Sequence, residues 1–311
     1  MAQVSSSLKS ENDAMRLRRA DNLKARKLNQ NIWYVLLWIG SLVTVAILLA
    51  VIGYVMAEGL KVVNWEFLTT PPRGGLSGEG GISTTIVTTL YLVGLTLVFA
   101  TPLGLGAAIF LVEYAGDQSI NNKFVAGLIQ FAHFGVETLA GIPSIIFGLF
   151  GYALFVSTLS LGWSLLSASL AGACLILPTI IRTTEEALLT VPRDLRQGSL
   201  ALGATKWQTL TKVVLPAAMP GIVTGVILSV GRIISETAVF FVTLGGSYRM
   251  PTSIMDSGRT MALHLYYLAM DTRAFDKAMG TAAILIITII IINLVIDQIS
   301  RRLTRGVRGM Q

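Results

Sequence analysis

The chain has 311 residues, of which 53% are hydrophobic and 13% are charged, with a mean hydropathy of +0.69. The charged fraction is about half that of an ordinary soluble domain, so the composition excludes a soluble globular protein and predicts an integral membrane protein. The net charge of +7 does not indicate nucleic acid binding, because the basic residues cluster beside apolar segments. The single cysteine, Cys174, excludes an intramolecular disulfide.

Six apolar stretches are long enough to cross the hydrocarbon core of a bilayer, which takes about 20 residues of helix. They lie near residues 33–56, 84–112, 131–156, 164–181, 222–244 and 278–296. An all-α fold with six transmembrane helices is therefore expected, with bends at Pro102 and Pro143. The domain division is a basic N-terminal segment (1–30), a first transmembrane helix with its external loop (31–80), a core of five transmembrane helices (81–298) containing a polar loop (185–221), and a tail (299–311).

The distribution of Lys and Arg predicts the orientation in the membrane. Seventeen of the 24 basic residues lie on the side that carries both termini, six lie on the other side, and Arg232 lies within a span. Since cytoplasmic loops carry the excess of basic residues, both termini should be cytoplasmic. The basic segment 1–30 should contact anionic membrane lipid.

Two histidines lie in different settings. His133 and Glu137 are four residues apart in the third span and could touch on one helical face. His264 lies in the long loop 245–277, which is predicted to be external, and we expect it to be exposed and without a ligand. The sequence has no Gly-Lys-Ser/Thr ending of a Walker A loop, so no ATP site, cofactor or metal is expected in this chain.

The fifth span contains the candidate residues of a substrate path, which are Ser229, Arg232, Ser235 and Glu236. An arginine near mid-membrane costs roughly 2.5 kcal/mol or more, so it needs a partner or an aqueous path. Glu236, one turn further on, could be a structural ion-pair partner. Alternatively, the planar guanidinium of Arg232 could give a tetrahedral oxyanion two parallel hydrogen bonds. The spacing leaves both interpretations open.

The polar loop 185–221 predicts two short amphipathic helices, with a start after Pro192 and a turn at Gly203. On pattern alone it could be a solvated connector. However, Gln197-Gly198-Ser199, Leu202-Gly203-Ala204, Leu215-Pro216 and Pro220-Gly221 resemble the EAA loop of ABC-importer permeases, which docks onto a cytoplasmic ATPase. The sequence departs from that motif where Gln197, Gly198 and Ser199 replace Glu-Ala-Ala. The resemblance assigns coupling to Glu185, Glu186, Gln197, Gly203, Ala204, Leu215 and Pro216.

A wider resemblance covers most of residues 80–245. The segments GGISTTIVTTL, EYAGD, AGIPSIIFGLF and GRIISET resemble the PstA-type permeases of bacterial phosphate ABC importers. This resemblance implies the fold of a type I importer permease in the inner membrane, with Arg232 and Glu236 in a phosphate path. It also implies three protein partners: a second homologous permease, a dimeric cytoplasmic ATPase and an extracytoplasmic phosphate-binding protein.

Several alternatives remain open at this point. The sister permease of the same complex shares several of these motifs, and sulfate or molybdate is the nearest alternative cargo. A secondary transporter or channel would explain the spans and Arg232 but has no need of an EAA-like loop. A membrane enzyme would need a convergent nucleophile or metal set, which two histidines and one cysteine in different segments do not supply.

Overall fold

The computed structural model describes residues 2–73, 78–114 and 123–308. Within these ranges the regular structure is helical, apart from isolated β-bridges that join Pro72 to Gly80 and Gly245 to Gly258. The chain divides into two compact units, Met1–Val55 and Met56–Gln311.

The described helices are, in chain order, α1 (Ala2–Val62), α2 (Trp65–Thr69), α3 (Ser83–Ile109), α4 (Lys123–Ala140), α5 (Ser144–Gly151), α6 (Leu165–Leu189), α7 (Arg193–Ala201), α8 (Lys206–Thr209), α9 (Leu215–Ser235), α10 (Ala238–Thr243), α11 (Met261–Met270) and α12 (Phe275–Arg308). π-helical turns continue α3 over Phe110–Tyr114 and α5 over Tyr152–Thr158, and join α8 to α9 over Leu210–Val214. The predicted all-α fold is confirmed.

The first unit consists of helix α1 up to Val55. From Asn29 onward this helix is apolar and long enough to span a membrane, and no residue of its most apolar window is buried. Large side chains such as Trp33 and Trp38 are more than half exposed. Such a surface is suited to lipid or to another membrane subunit, where apolar contacts need no burial within the same chain.

Helix α6 forms the centre of the second unit, where it packs against α3 and α9. The residues that α6 buries are mostly small or branched, and glycines on α3 and α9 allow these helices to approach α6 closely. A Cβ atom added at Gly104 of α3 would lie 2.6 Å from Ile180 Cγ2, and one added at Gly225 of α9 would collide with Thr183. Small residues at helix contacts are the usual means of tight packing in membranes.

The third predicted span, 131–156, is not one straight helix. Ile129–Ala140 and Ser144–Thr158 meet at an angle of 109°. Pro143, which immediately precedes α5, has no N–H to continue the hydrogen-bonding of α4, so the bend expected from this proline is in fact a sharp break. Among the described residues, five helices are long and apolar enough to cross a membrane by themselves, and there are six spans if this bent pair counts as one.

The fifth predicted span, 222–244, is also interrupted. The long helical segment extends over Lys206–Ser235, and Glu236 then adopts an extended backbone, with φ −74° and ψ 129°. The Glu236 carboxylate accepts a hydrogen bond of 3.3 Å from the Val239 N–H in the first turn of α10. Glu236 thus satisfies a backbone donor that would otherwise be free at the start of this short helix, which explains why the chain breaks here.

Candidate substrate path and coupling loop

The predicted substrate-path residues lie at the end of helix α9, but they do not share one face. Arg232 and Ser235 are exposed. Ser229 is fully buried, and its hydroxyl donates to the Gly225 carbonyl over 2.9 Å. The candidate residues on α9 are therefore divided, with Arg232 and Ser235 on the exposed face and Ser229 within the helical core.

Of the two interpretations left open for Arg232, the ion pair with Glu236 is not formed in the described structure. Glu236 lies beyond the end of α9, and its carboxylate is bonded to the backbone of Val239 instead. Across the residues that the structure describes, the Arg232 guanidinium has no hydrogen-bond or ion-pair partner. An unpaired cation within a span is costly, so it indicates a ligand, water or a neighbouring subunit at this face.

The coupling loop has the predicted helix–turn–helix form. Helix α7 begins directly after Pro192, and Gly203 makes the turn with a φ of +86°, a conformation that residues with a Cβ rarely adopt. Helix α8 begins with a capping box in which Thr205 and Gln208 satisfy each other's backbone N–H groups. The hydroxyls of Ser199 and Thr209 join the two helices over 2.9 Å.

Large apolar side chains on this loop point away from the protein. Leu202 is 91% exposed and Trp207 is 64% exposed, and Leu195 and Leu200 are also exposed. Gln197 is exposed and Ala204 is partly exposed beside them. Contiguous exposed apolar residues on an ordered surface mark a contact with another protein. The composition and the shape of the α7–α8 pair therefore suit it to docking on another protein.

An arginine that the sequence did not single out fixes this docking element. Arg196 of α7 donates to the Glu113 carboxylate from Nη2 at 2.9 Å and from Nε at 3.2 Å. It also donates to the carbonyls of Val191 and Leu188, each at 2.7 Å. These four bonds join α7 to the end of α6 and to the π-helical turn after α3. Glu113 is 83 residues away in sequence, so no local spacing indicates this contact.

Both ends of the predicted loop 185–221 belong to long helices instead. Glu185 and Glu186 lie in the last turns of α6, because no proline follows them before Pro192. Glu186 lies 3.6 Å from Arg182, whereas Glu185 is largely buried and lies 3.7 Å from His133 Nδ1. In the described structure His133 thus pairs with Glu185 and not with Glu137.

Leu215 and Pro216, the other end of the predicted loop, form the first turn of α9. Proline is well tolerated in a first turn, where its missing N–H would have no partner in any case. The part of the predicted loop that lies between the long helices is therefore α7 with the turn that leads into α8, the first turn of the segment Lys206–Ser235.

The loop 245–277 differs from the simple exposed connector that was expected. It contains helix α11, and His264 in that helix is only 5% exposed. The prediction that His264 is exposed is wrong, because α11 folds back and buries it. In residues 2–73, 78–114 and 123–308, no group of three or more His, Cys, Asp or Glu residues is placed to hold a metal ion.

Within the described residues, five or six apolar spans with an exposed helix pair between two of them give the architecture of an ABC-importer permease. The chain belongs to the family of binding-protein-dependent transport system inner membrane components, which matches it over residues 128–309. It is therefore a multi-pass component of the inner membrane and a transport subunit, not an enzyme.

Two relatives illustrate the relationship. The probable ABC transporter permease protein YqgI of Bacillus subtilis is 32% identical over 80% of this chain and 87% of its own length. The phosphate transport system permease protein PstA 1 of Mycobacterium tuberculosis is 35% identical over 77% of this chain and 78% of its own length. The predicted resemblance to PstA-type permeases is confirmed at the level of the family.

Solved structures show the same fold at lower identity. A chain of a bacterial alginate ABC transporter, in complex with a periplasmic protein bound to alginate pentasaccharide, gives a TM-score of 0.62 at 17% identity and covers 88% of this chain and 97% of its own. A chain of the MetNI methionine ABC transporter gives a TM-score of 0.52 at 23% identity, with 73% and 94% covered. These structures support the predicted fold class.

Proposed function

We propose that this chain is a permease subunit of an ATP-driven importer that moves inorganic phosphate across the cytoplasmic membrane. In this proposal a second, homologous permease completes the pathway and a dimeric cytoplasmic ATPase binds the α7–α8 pair. An extracytoplasmic binding protein delivers phosphate. Relatives named as phosphate transport permeases, at 28–35% identity, support the choice of cargo.

The proposal rests on the environment of the Arg232 side chain. It is an exposed guanidinium in the last turn of a spanning helix, without an ion-pair partner in the described part of the chain. A guanidinium matches a tetrahedral oxyanion through two parallel, charge-assisted hydrogen bonds. Ser235 lies on the same exposed face, and its hydroxyl, which donates to the Gly231 carbonyl over 2.9 Å, would have to rotate to donate to that anion.

Coupling would pass through the docking element. Closure of the ATPase dimer on ATP would move the α7–α8 pair, and the four bonds of Arg196 would transmit that movement to α6 and α3. Because α6 packs against both α3 and α9, a displacement of its end also reaches the helix that carries Arg232. ATP hydrolysis would then reset the permease.

The orientation follows from the basic residues, with both termini in the cytoplasm and the loop 245–277 outside. Single cysteines introduced at Ser10 and Arg249 in a Cys174→Ala background test it with a membrane-impermeant thiol reagent. Labelling of intact cells at position 249 alone is expected. Labelling at position 10 alone would reverse the topology.

Transport is tested on the whole complex reconstituted in proteoliposomes with its binding protein and ATP. Uptake of phosphate should exceed uptake of sulfate and molybdate, and ATP hydrolysis should rise when the phosphate-loaded binding protein is added. The second candidate is that this chain is the sister permease of the same complex, because the two permeases share several motifs. Uptake of sulfate or molybdate in place of phosphate would overturn the proposed cargo.

A further inference from the structure

A second arginine, far from Arg232 in sequence, is held in the loop that follows α10. Arg259 is 7% exposed, and its guanidinium carbon lies 4.1 Å from the ring centroids of both Tyr248 and Tyr267. Its Nε donates to the Gly246 carbonyl over 3.1 Å. Within the described residues, Nη1 and Nη2 have no hydrogen-bond partner. The two rings thus fix the plane of a cation whose terminal donors remain available.

Beside Arg259, a second polar side chain has a buried atom without a hydrogen-bond partner among the described residues. His264 is 5% exposed, and its Nδ1 is buried without a hydrogen bond in the described structure. Burial, together with the positive charges of Arg259 and Lys277, lowers the pKa of His264 to about 4, so the imidazole is neutral at pH 7. A neutral imidazole can still donate one N–H. A buried polar atom without a partner calls for an explanation, and a missing ligand is one.

Both side chains line the same cavity of about 300 Å³. Arg73 also lines it, and Asp271 is the acidic residue among its described walls. Lys277 lies at its edge, where Nζ donates to the Gly78 carbonyl over 3.0 Å. Two guanidinium groups and a nearby ammonium against one carboxylate give this cavity a positive potential.

The position of the cavity in the fold is also informative. It is built by the loop between α10 and α12, beyond the end of α9 that carries Arg232. The α7–α8 pair precedes the opposite end of α9. In the proposed orientation the cavity therefore lies on the extracytoplasmic side, where substrate would arrive.

We propose that this cavity is a second anion site, in which Arg259 and His264 bind inorganic phosphate before it reaches Arg232. The identity of the anion rests on the proposed function, whereas the anion-binding character rests on the cavity itself. Arg259 would supply charge-assisted hydrogen bonds from its terminal nitrogens, and His264 a neutral N–H. The tyrosine rings hold the guanidinium in place, so its side chain loses little conformational entropy when the anion binds.

The test measures equilibrium binding of radiolabelled phosphate to the purified complex in nanodiscs, without the binding protein. An Arg232→Gln background removes the first site. In this background, Arg259→Gln should weaken the remaining phosphate binding at least tenfold, and His264→Leu should weaken it about threefold. Arg249→Gln, which changes an exposed arginine of the same loop outside the cavity, should leave binding unchanged.

His264→Leu also covers the case in which Arg259→Gln fails to assemble, because it removes a buried atom that has no partner and leaves the arginine stack intact. Thermal stability of each complex is recorded beside binding. Undiminished phosphate binding in folded His264→Leu and Arg259→Gln complexes would overturn the second site. Phosphate uptake by the wild-type complex is measured separately, so that a failure of the proposed cargo is distinguished from a failure of this site.

Discussion

Arg196 and Arg232 are both arginines at the ends of helices, yet their surroundings are opposite. Arg196 makes four hydrogen bonds, to a carboxylate and to two backbone carbonyls of the same chain. Arg232 has neither an ion pair nor a side-chain hydrogen bond within the described residues. An arginine that is satisfied within its own chain holds helices together. An arginine in a membrane span whose guanidinium has no partner among the described residues is available to a group outside the chain.

The largest effect is expected from removing the unsatisfied arginine. Arg232→Gln should lower phosphate uptake about 100-fold, because a charge-assisted contact to an anion contributes about 1.5–3 kcal/mol. Arg232→Lys keeps the charge but loses the planar fork and should lower uptake about tenfold. Complex yield should remain normal in both, since no described contact is lost. Uptake and yield in proteoliposomes are measured together, with Arg249→Gln as the matched control.

The double change Arg232→Gln with Glu236→Gln sharpens this result. Because Glu236 binds the backbone of α10 and not Arg232, the second substitution should restore no uptake. Full recovery of uptake in the double variant would show that the two residues act only as a structural pair. This outcome would contradict the proposal that Arg232 binds an anion.

A smaller effect is expected from removing the hydrogen bonds of Arg196. Arg196→Gln leaves Glu113 and two carbonyls without their donor, at a cost of about 2 kcal/mol in the stability of the loop. Uptake should fall about tenfold while phosphate binding is retained, and the α7–α8 pair should become sensitive to protease. Arg193→Gln, at an exposed position of the same helix, is the control. Normal coupling of ATP hydrolysis to uptake in Arg196→Gln would contradict the role of this contact.

Gly203→Val should have a smaller effect again. Open space surrounds Gly203, so the cost comes only from its φ of +86°, about 1–2 kcal/mol for a residue with a Cβ. Uptake should fall a few-fold with normal assembly. Gly203→Asn, which tolerates this conformation better, should be nearly normal. Equal losses of uptake in the two variants would indicate that any side chain added at position 203 is harmful, whatever its preference for the backbone turn.

His264→Leu should have little effect on the stability of the anion-free protein at pH 7 but should change its pH dependence. With a pKa of about 4 when folded and 6.5 when unfolded, His264 takes up a proton first in the unfolded state. Its contribution to stability is therefore complete above pH 6.5 and declines by about 3 kcal/mol as the pH falls to 4. The Tm of the His264→Leu variant should change less between pH 4 and 7 than the Tm of the unchanged protein. Identical profiles would mean that the pKa of His264 is the same in the folded and unfolded states.

The spans and the docking element could be predicted from sequence because both depend on local patterns. Long apolar runs define the helices, and Pro192 and Gly203 define the turn of the coupling loop. The break at Glu236 could not be predicted in this way, since it depends on a side chain that caps the following helix. The Arg196–Glu113 contact joins residues 83 apart, and the burial of His264 depends on how α11 folds back. Contacts of this kind need the tertiary structure.

The unequal burial of two spans has a consequence for how this protein is made. The stretch Asn29–Val62 is strongly apolar with none of its window buried, so it can leave the translocon and enter lipid alone. The stretch Leu165–Leu189 is less apolar, and 67% of its window is buried. Its serine, threonine and glycine surfaces fit α3, which is synthesised before it, and α9, which is synthesised after it. Helix α6 therefore completes its packing only when the ribosome has passed Ser235.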